Sequence, residues 1–442
     1  MKRFIAAAFA AMVLISGCSK DNVIDEPETP ETPVNPDPEP APEPDPSPSP
    51  EVSEYAPEFV CGSMEITTAG GTAITSKEDY VDCTVSLSHF NSDWNFTDVP
   101  AGIRGRGNST WEWYPKKPYR IKFEKKQSVM GLDASKSWVL LAEYRDPTDL
   151  MNAFVFELGS RLGMPYTNHN RYVEVTLNGE FIGLYHLTEQ VQQGSARVNV
   201  DEANGYLIQL DADDGPQLSP SATDNFWSSV YYMPVCVKNP DEPDAGMLRK
   251  IKSELGELEN AIRLRDWDKI NSLLEVKTMI DFMIIQELVY NVELAAPRSM
   301  YMHKDVDSKW AMGPLWDFDA GFDFDWGTMT TGHNYFADYR ELVLGTKPST
   351  HGGTQYEVPG FFSDLFHIPD FVAQYKSRWE EVKDMVLPAW EATLTYFNAN
   401  TDPFEREADR WTIDRNYETE IGRMQSWLEK RTSYLTTVIT NY

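Results

Sequence analysis

Two carboxylates two residues apart, in Trp316-Asp317-Phe318-Asp319, are the strongest chemical signal in this sequence. They follow Lys309-Trp310-Ala311-Met312-Gly313-Pro314-Leu315, which reads as a strand. On an extended backbone, residues i and i+2 point the same way. In an otherwise apolar and aromatic run such a pair is costly to bury unless something positive neutralises it. Hard oxygen ligands at a strand end suit Mg²⁺ or Mn²⁺, above all a cation carrying substrate phosphates. The competing reading is an acidic turn, since Asp319 runs into Gly321, Asp323 and Asp325.

A second signal is Ile103-Arg104-Gly105-Arg106-Gly107-Asn108-Ser109-Thr110-Trp111. Glycines let backbone N–H groups approach a phosphate, and arginines add charge. The run lacks the third glycine of a dinucleotide-binding loop, and a tight hairpin with solvated arginines explains it equally well. Downstream, Tyr119-Arg120-Ile121-Lys122-Phe123 alternates as a strand, with Arg120 and Lys122 on one face and Lys117 on the other with Tyr119.

The elements that must position these groups are legible in outline. Residues 57–100 read as short strands, and Ser137–Ala142 as a buried one. Asp146-Pro147-Thr148-Asp149 predicts a helix start, with Asp146 as N-cap, running through Leu150, Phe154, Leu158 and Leu162 to Gly163. Asn152 and Glu157 lie on it. Val173–Leu177 and Glu180–Tyr185 joined by Asn178-Gly179 predict a hairpin. Beyond Pro243 the apolar spacing turns helical, interrupted by a strand pair around Tyr301-Met302 and Lys309–Leu315. A strand-rich half, one capped helix, a helical half, a loop with a carboxylate and then Asp317 is the order found in protein kinases, although the standard kinase signatures are missing.

The N-terminus carries different information. Met1-Lys2-Arg3, an apolar run from Phe4 to Ile15 that is too short to span a bilayer, and Ser16-Gly17-Cys18 read as a signal peptide. Leu14-Ile15-Ser16-Gly17-Cys18 resembles a bacterial lipoprotein signal, in which Cys18 becomes the lipidated first residue, and Ser19-Lys20-Asp21 resembles a surface-export tag. Residues 26–54 hold eleven prolines and no Phe or Trp, so this stretch cannot bury a core and reads as a solvated tether. The division is thus 1–18 signal and lipobox, 19–55 tether and 56–442 folded domain, with a location on the outer membrane or cell surface.

Net charge is −30, which argues against a nucleic-acid partner. The missing CxxC, HExxH, GxSxG and Walker A patterns argue against a structural zinc site, zinc protease, serine hydrolase or P-loop NTPase. Apart from Cys18, three cysteines remain, and Cys61 and Cys83 flank a strand turn where they could pair.

Several runs together resemble the CotH family of atypical kinases. They are Arg104–Trp111, Lys116-Lys117-Pro118-Tyr119-Arg120-Ile121-Lys122-Phe123, Trp138–Ala142, Leu177–Tyr185, Thr188-Glu189-Gln190-Val191 and Gly313–Asp319. The resemblance implies an α+β, protein-kinase-like two-lobed fold, with a strand-rich N-terminal lobe (about 57–200) and a mostly helical C-terminal lobe (about 201–442). It implies ATP and Mg²⁺ (or Mn²⁺) as cofactors and a protein Ser/Thr hydroxyl as acceptor. On this reading Asp317 is the metal-binding acid and Asp319 its helper. Glu293, in Asn291-Val292-Glu293, stands where the family usually has a catalytic Asp. Arg106, Lys117 and Lys122 are candidates to hold the ATP phosphates, Glu157 to pair with the lysine, and Glu189 to mark a hinge. Glutamate is one methylene longer than aspartate, and about 1 Å of misplacement can cost on the order of 10²-fold in rate. A non-catalytic binding domain, or a surface glycan-binding or adhesion lipoprotein using its aromatic side chains, are the alternatives.

Overall fold

The computed structural model describes residues 54–213, 216, 223–295, 297–322, 338–344, 349–351, 354–356, 358–411 and 416–442. Cys18, the tether up to residue 53, Asp323 and Asp325 lie outside the described residues.

Seven strands form a closed barrel: β1 (Gly62–Thr68), β2 (Val81–Ser88), β3 (Phe96–Gly105), β4 (Tyr119–Gln127), β5 (Ser135–Leu141), β6 (Arg171–Leu177) and β7 (Glu180–Glu189). The order around it is β1-β2-β3-β4-β5-β7-β6, and β1 pairs with β6 in parallel to close the ring. Strict alternation along β1 places Met64 and Ile66 inside. Val85, Ile103, Ile121, Phe123, Trp138, Val175 and Leu187 fill the rest of the barrel. Side chains on one face of a strand recur every second residue, so each strand contributes one inward row. The β6–β7 turn is the expected Asn-Gly hairpin, with Asn178 and Gly179 both at positive φ. The Asn178 amide oxygen also accepts from Thr68 N at 2.8 Å, tying the turn to β1.

On β5 and β7 the alternation disappears because both faces are covered. Their outward side chains, Val139, Leu141 and Leu184, join a second core that runs on to Ile439. That core is built from α2 (Met151–Leu162), a second sheet and the C-terminal helices. The sheet has the order β12-β11-β8-β10-β9, with β8 (Tyr206–Leu210), β9 (Asn225–Trp227), β10 (Pro234–Asn239), β11 (Met300–Lys304) and β12 (Ala311–Met312). Around it lie α3 (Ala245–Leu264), α4 (Trp267–Leu273), α5 (Val276–Leu288), α6 (Gly360–Ser363), α7 (Pro369–Val382), α8 (Val386–Asn398), α9 (Thr401–Trp411) and α10 (Tyr417–Thr440). A short helix, α1 (Ser109–Trp113), follows β3.

This architecture corrects the expected protein-kinase-like two-lobed fold. The strand-rich half closes into a barrel instead of an open sheet, and a five-stranded sheet stands in the half expected to be mostly helical. The second core joins residues from Val139 to Ile439, so the outer wall of the barrel is shared with the helices. Periodicity reports which faces are buried; it carries no information on whether the first strand meets the sixth.

Two buried ion pairs bind the C-terminal helices to the rest. Lys116 and Glu407, both fully buried, meet at 2.7 Å. Lys116 Nζ also donates to Leu184 O, and Leu184 N donates to Glu407 Oε2 at 2.7 Å. Gly183 makes this possible: its φ is +110°, and a Cβ there would stand 2.3 Å from Glu407 Oε2. Arg431 of α10 pairs with Glu287 of α5 at 2.5 Å, while Glu287 accepts from Val343 N and Leu344 N. Cys61 and Cys83 are not joined, so the Cys61–Cys83 pairing is not formed. Among the described residues no helix is long and apolar enough to cross a membrane.

Candidate active site

β12 leads the chain toward Asp317 but spans only Ala311–Met312, shorter than the strand predicted over Lys309–Leu315. Asp317 itself, however, is at φ +65°, in the left-handed region, so the two acids do not share one extended strand. A non-glycine residue held there is strained by about 1–2 kcal/mol and needs its surroundings to hold it. Two groups do so. Phe318, fully buried, donates its N–H to Asn152 Oδ1 at 2.8 Å, and Ser299 Oγ donates to Asp317 Oδ2 at 3.2 Å. Ser299 is in turn fixed by Asp211 at the end of β8, whose Oδ2 accepts from Ser299 N at 3.1 Å.

The acids gather despite the break in the strand. Glu293 sits on a 3-10 turn (Val292–Leu294) after α5, where Asn291 Oδ1 accepts its N–H. Burial raises the Glu293 carboxyl well above the usual range, and the charges of Asp317 and Asp319 raise it further. Burial and then Asp319 push Asp317 up to about 7, while Arg106, Arg145 and the Ser299 hydroxyl pull it back. Carboxylates that repel one another in this way are stabilised by a cation among them.

Arg106 is one of the basic groups of this cluster, beside Arg145. Burial lowers its pKa, and the charge of Asp317 is the strongest influence raising it. Its guanidinium lies 5.3 Å from the centroid of the Trp316 ring, which stacks on Phe156 of α2. Behind Arg106, Arg104 of β3 stands directly opposite Arg120 of β4. Like charges so placed repel, and Arg104 and Arg106 both act to lower the pKa of Arg120, after burial. A ladder of three arginines on a chain of net charge −30 suits an anionic ligand. Gly105 serves packing here, since a Cβ would collide with the Trp111 ring at 2.4 Å.

The other residues singled out from the sequence are placed elsewhere. Lys117 Nζ donates to Trp111 O and lies over the Trp111 ring. Lys122 is exposed on the barrel wall, 5.9 Å from the Tyr80 ring centroid. Glu157 bonds to Arg161 one turn on, at 2.7 Å, and so does not pair with the lysine. Glu189 is buried where β7 ends. There it accepts from His169 N at 2.8 Å and contacts His169 Nδ1 at 2.6 Å. Burial would raise its pKa, but His169 and Arg197 outweigh that and lower it. Four tryptophans (Trp138, Trp310, Trp379 and Trp390) are fully buried, and the exposed Trp113 and Trp227 sit on different elements.

Sequence reasoning missed Glu143 and Arg145, and gave Asn152 and Ser299 no role. Glu143-Tyr144-Arg145-Asp146 fills the gap between β5 and α2, a polar run between two buried elements, which is the one available signal. Arg145, buried, faces both Glu293 and Asp317 and lies 5.9 Å from the Tyr114 ring centroid. Asp146 does cap α2, but from further away: its Oδ2 accepts from Met151 N at 2.6 Å, and the helix starts only after Asp149 has turned to φ +55°.

Among the described residues, no group of three or more His, Cys, Asp or Glu side chains could by itself hold a metal ion. That is compatible with Mg²⁺, which is usually held by one or two carboxylates plus substrate phosphates. Asp317 and Asp319 are the carboxylates that could share such a cation, and the charge of Arg106 acts on both.

A family model described as CotH kinase protein matches residues 103–435. The chain therefore belongs to the CotH kinase protein family. A comparison with curated proteins finds no match.

Proposed function

We propose that this protein is a lipid-anchored surface kinase that transfers the γ-phosphate of ATP to a protein Ser or Thr hydroxyl. The observation that carries this reading is the meeting of Glu293, Asp317 and Asp319, from a turn after α5 and a turn after β12, beside the Arg104–Arg106–Arg120 ladder. Bound Mg²⁺ would neutralise charge on the ATP phosphates, as it does in phosphoryl transfer generally. Asp317 holds that cation, assisted by Asp319. Arg106 faces the phosphates, with Arg104 and Arg120 behind it. Glu293 orients the acceptor hydroxyl and takes its proton as the O–P bond forms and ADP leaves.

Intact-mass analysis of the chain incubated with Mg²⁺/ATP and an acceptor protein tests the reading. Glu293→Gln keeps the side-chain length and removes the base, so nucleotide binding stays while transfer falls by roughly 10²-fold or more. Glu293→Asp restores the family's usual acid and transfers at least as fast as wild type. If both variants match wild type, Glu293 has no part in the chemistry. Transfer by Glu293→Asp alone would make the native chain a nucleotide-binding relative without catalysis.

The anchor is proposed from Leu14-Ile15-Ser16-Gly17-Cys18. Cys18→Ala leaves the precursor without acyl chains and shifts it out of the membrane fraction. Acyl chains still present on that variant by mass spectrometry would refute the lipoprotein assignment.

A further inference from the structure

The hydrogen bond that Asn152 makes to the Asp317–Phe318 peptide belongs to a longer buried chain. Asn152 Nδ2 lies 3.2 and 3.1 Å from the two oxygens of Glu143. Glu143 Oε1 lies 2.9 Å from His186 Nδ1 on β7. The His186 ring stacks on Tyr172 of β6 at 5.1 Å with an interplanar angle of 14°. Asn152, Glu143, His186 and Phe318 are each at most 7 % exposed. A side-chain amide has one donor end and one acceptor end. Two Glu143 oxygens on one side require the Asn152 nitrogen there, and so aim its oxygen at the Phe318 N–H. The peptide so held is the one that follows Asp317, the residue at positive φ.

We propose that Asn152, oriented by Glu143 and through it by His186 of the barrel wall, is the positioning residue that presents the Asp317 carboxylate to a divalent cation. This rests on the reading of Asp317 as the cation-holding acid. The barrel thereby sets the geometry of a loop that belongs to the second sheet. Asn152 touches neither cation nor nucleotide; it acts only through the Phe318 amide. Without it, Asp317 is free to relax from its strained conformation, and the carboxylate turns away from its working position.

The experiment compares the full chain with Asn152→Ala, Glu143→Ala and the conservative Glu143→Gln, which retains an acceptor for Asn152. ATP affinity is measured in EDTA and then against increasing Mg²⁺, and hydrogen exchange is followed in a peptide covering residue 318 without nucleotide. Losing an outer partner of a metal-holding group typically costs about 10–100-fold in metal affinity. The half-saturating Mg²⁺ concentration therefore rises about 10-fold or more in Asn152→Ala and Glu143→Ala, and by less than about threefold in Glu143→Gln. ATP affinity in EDTA is the same in all four proteins. The amide at 318 exchanges faster in both alanine variants. An unchanged Mg²⁺ requirement in Asn152→Ala, or an equal loss of affinity with and without Mg²⁺, overturns the proposal. If Asn152→Ala does not fold, the contrast between Glu143→Ala and Glu143→Gln decides the matter in the same way. If wild type shows no Mg²⁺-dependent ATP binding, the proposed function fails, and hydrogen exchange alone judges the positioning: unchanged protection at 318 in the alanine variants overturns it too.

Discussion

Asp317→Asn abolishes the stabilisation of this protein by Mg²⁺/ATP and leaves the ligand-free protein at least as stable as before. The first half follows from the donor set. Asp317 combines a strained backbone, a hydroxyl clamp from Ser299 and the close influence of Arg106. An amide in its place cannot neutralise a cation. A ligand present at 100 times its dissociation constant, bound only by the folded state, stabilises by about 2.7 kcal/mol. For a folded part of this size that corresponds to a rise of about 3 °C in Tm. The variant shows none of it, and transfer falls by about 10³-fold or more, as when a group stabilising transition-state charge is removed. The second half follows from the repulsion among the acids. Glu293 and Asp317 are both pushed above the ordinary carboxylate range, so neutralising one relieves the other. Calorimetric scans of both proteins with and without Mg²⁺/ATP decide the point. A Tm rise in Asp317→Asn equal to that of wild type would remove Asp317 from the site.

Lys116→Met unfolds the protein more readily by about 3–5 kcal/mol, because it leaves the Glu407 charge buried without its partner. Lys116 and Glu407 are completely enclosed, and Glu407 holds Leu184 N as well. The pair joins the turn after α1, strand β7 and helix α9, three elements far apart in sequence. In Lys116→Met/Glu407→Leu the destabilisation is smaller than the sum of the single changes, since no orphaned charge remains. About 1–3 kcal/mol persists because the Leu184 N–H loses its acceptor. Urea denaturation of the two single variants and the double variant measures the coupling. Strictly additive single and double variants would mean that the ion pair has no energetic coupling.

The local chemistry of the chain was readable because it depends on neighbours in sequence. Asn178-Gly179 dictates a tight hairpin through backbone conformations that few other residues adopt. Gly163 ends α2 at φ +72° for the same reason. Asp317 and Asp319 stand out because acids in an apolar run demand an explanation, and the family resemblance pointed to Glu293; the structure brings all three together. The helix begins four residues later than Asp146-Pro147 predicts, at Met151, because Asp149 turns to positive φ before the helix begins.

What the sequence alone determined is therefore the family, the acids and the short-range turns. Only the tertiary structure decided that β1 closes on β6, that Arg106 rather than Lys117 or Lys122 stands among the acids, and that Asn152 and Glu143 hold the Asp317 loop. Lys116 and Lys117 show the reason most directly. Adjacent, chemically identical side chains differ in fate because one meets Glu407, 291 residues away, and the other a carbonyl six residues back. Burial of a charge depends on a partner that chain topology delivers, and no spacing rule within the sequence encodes so distant a meeting.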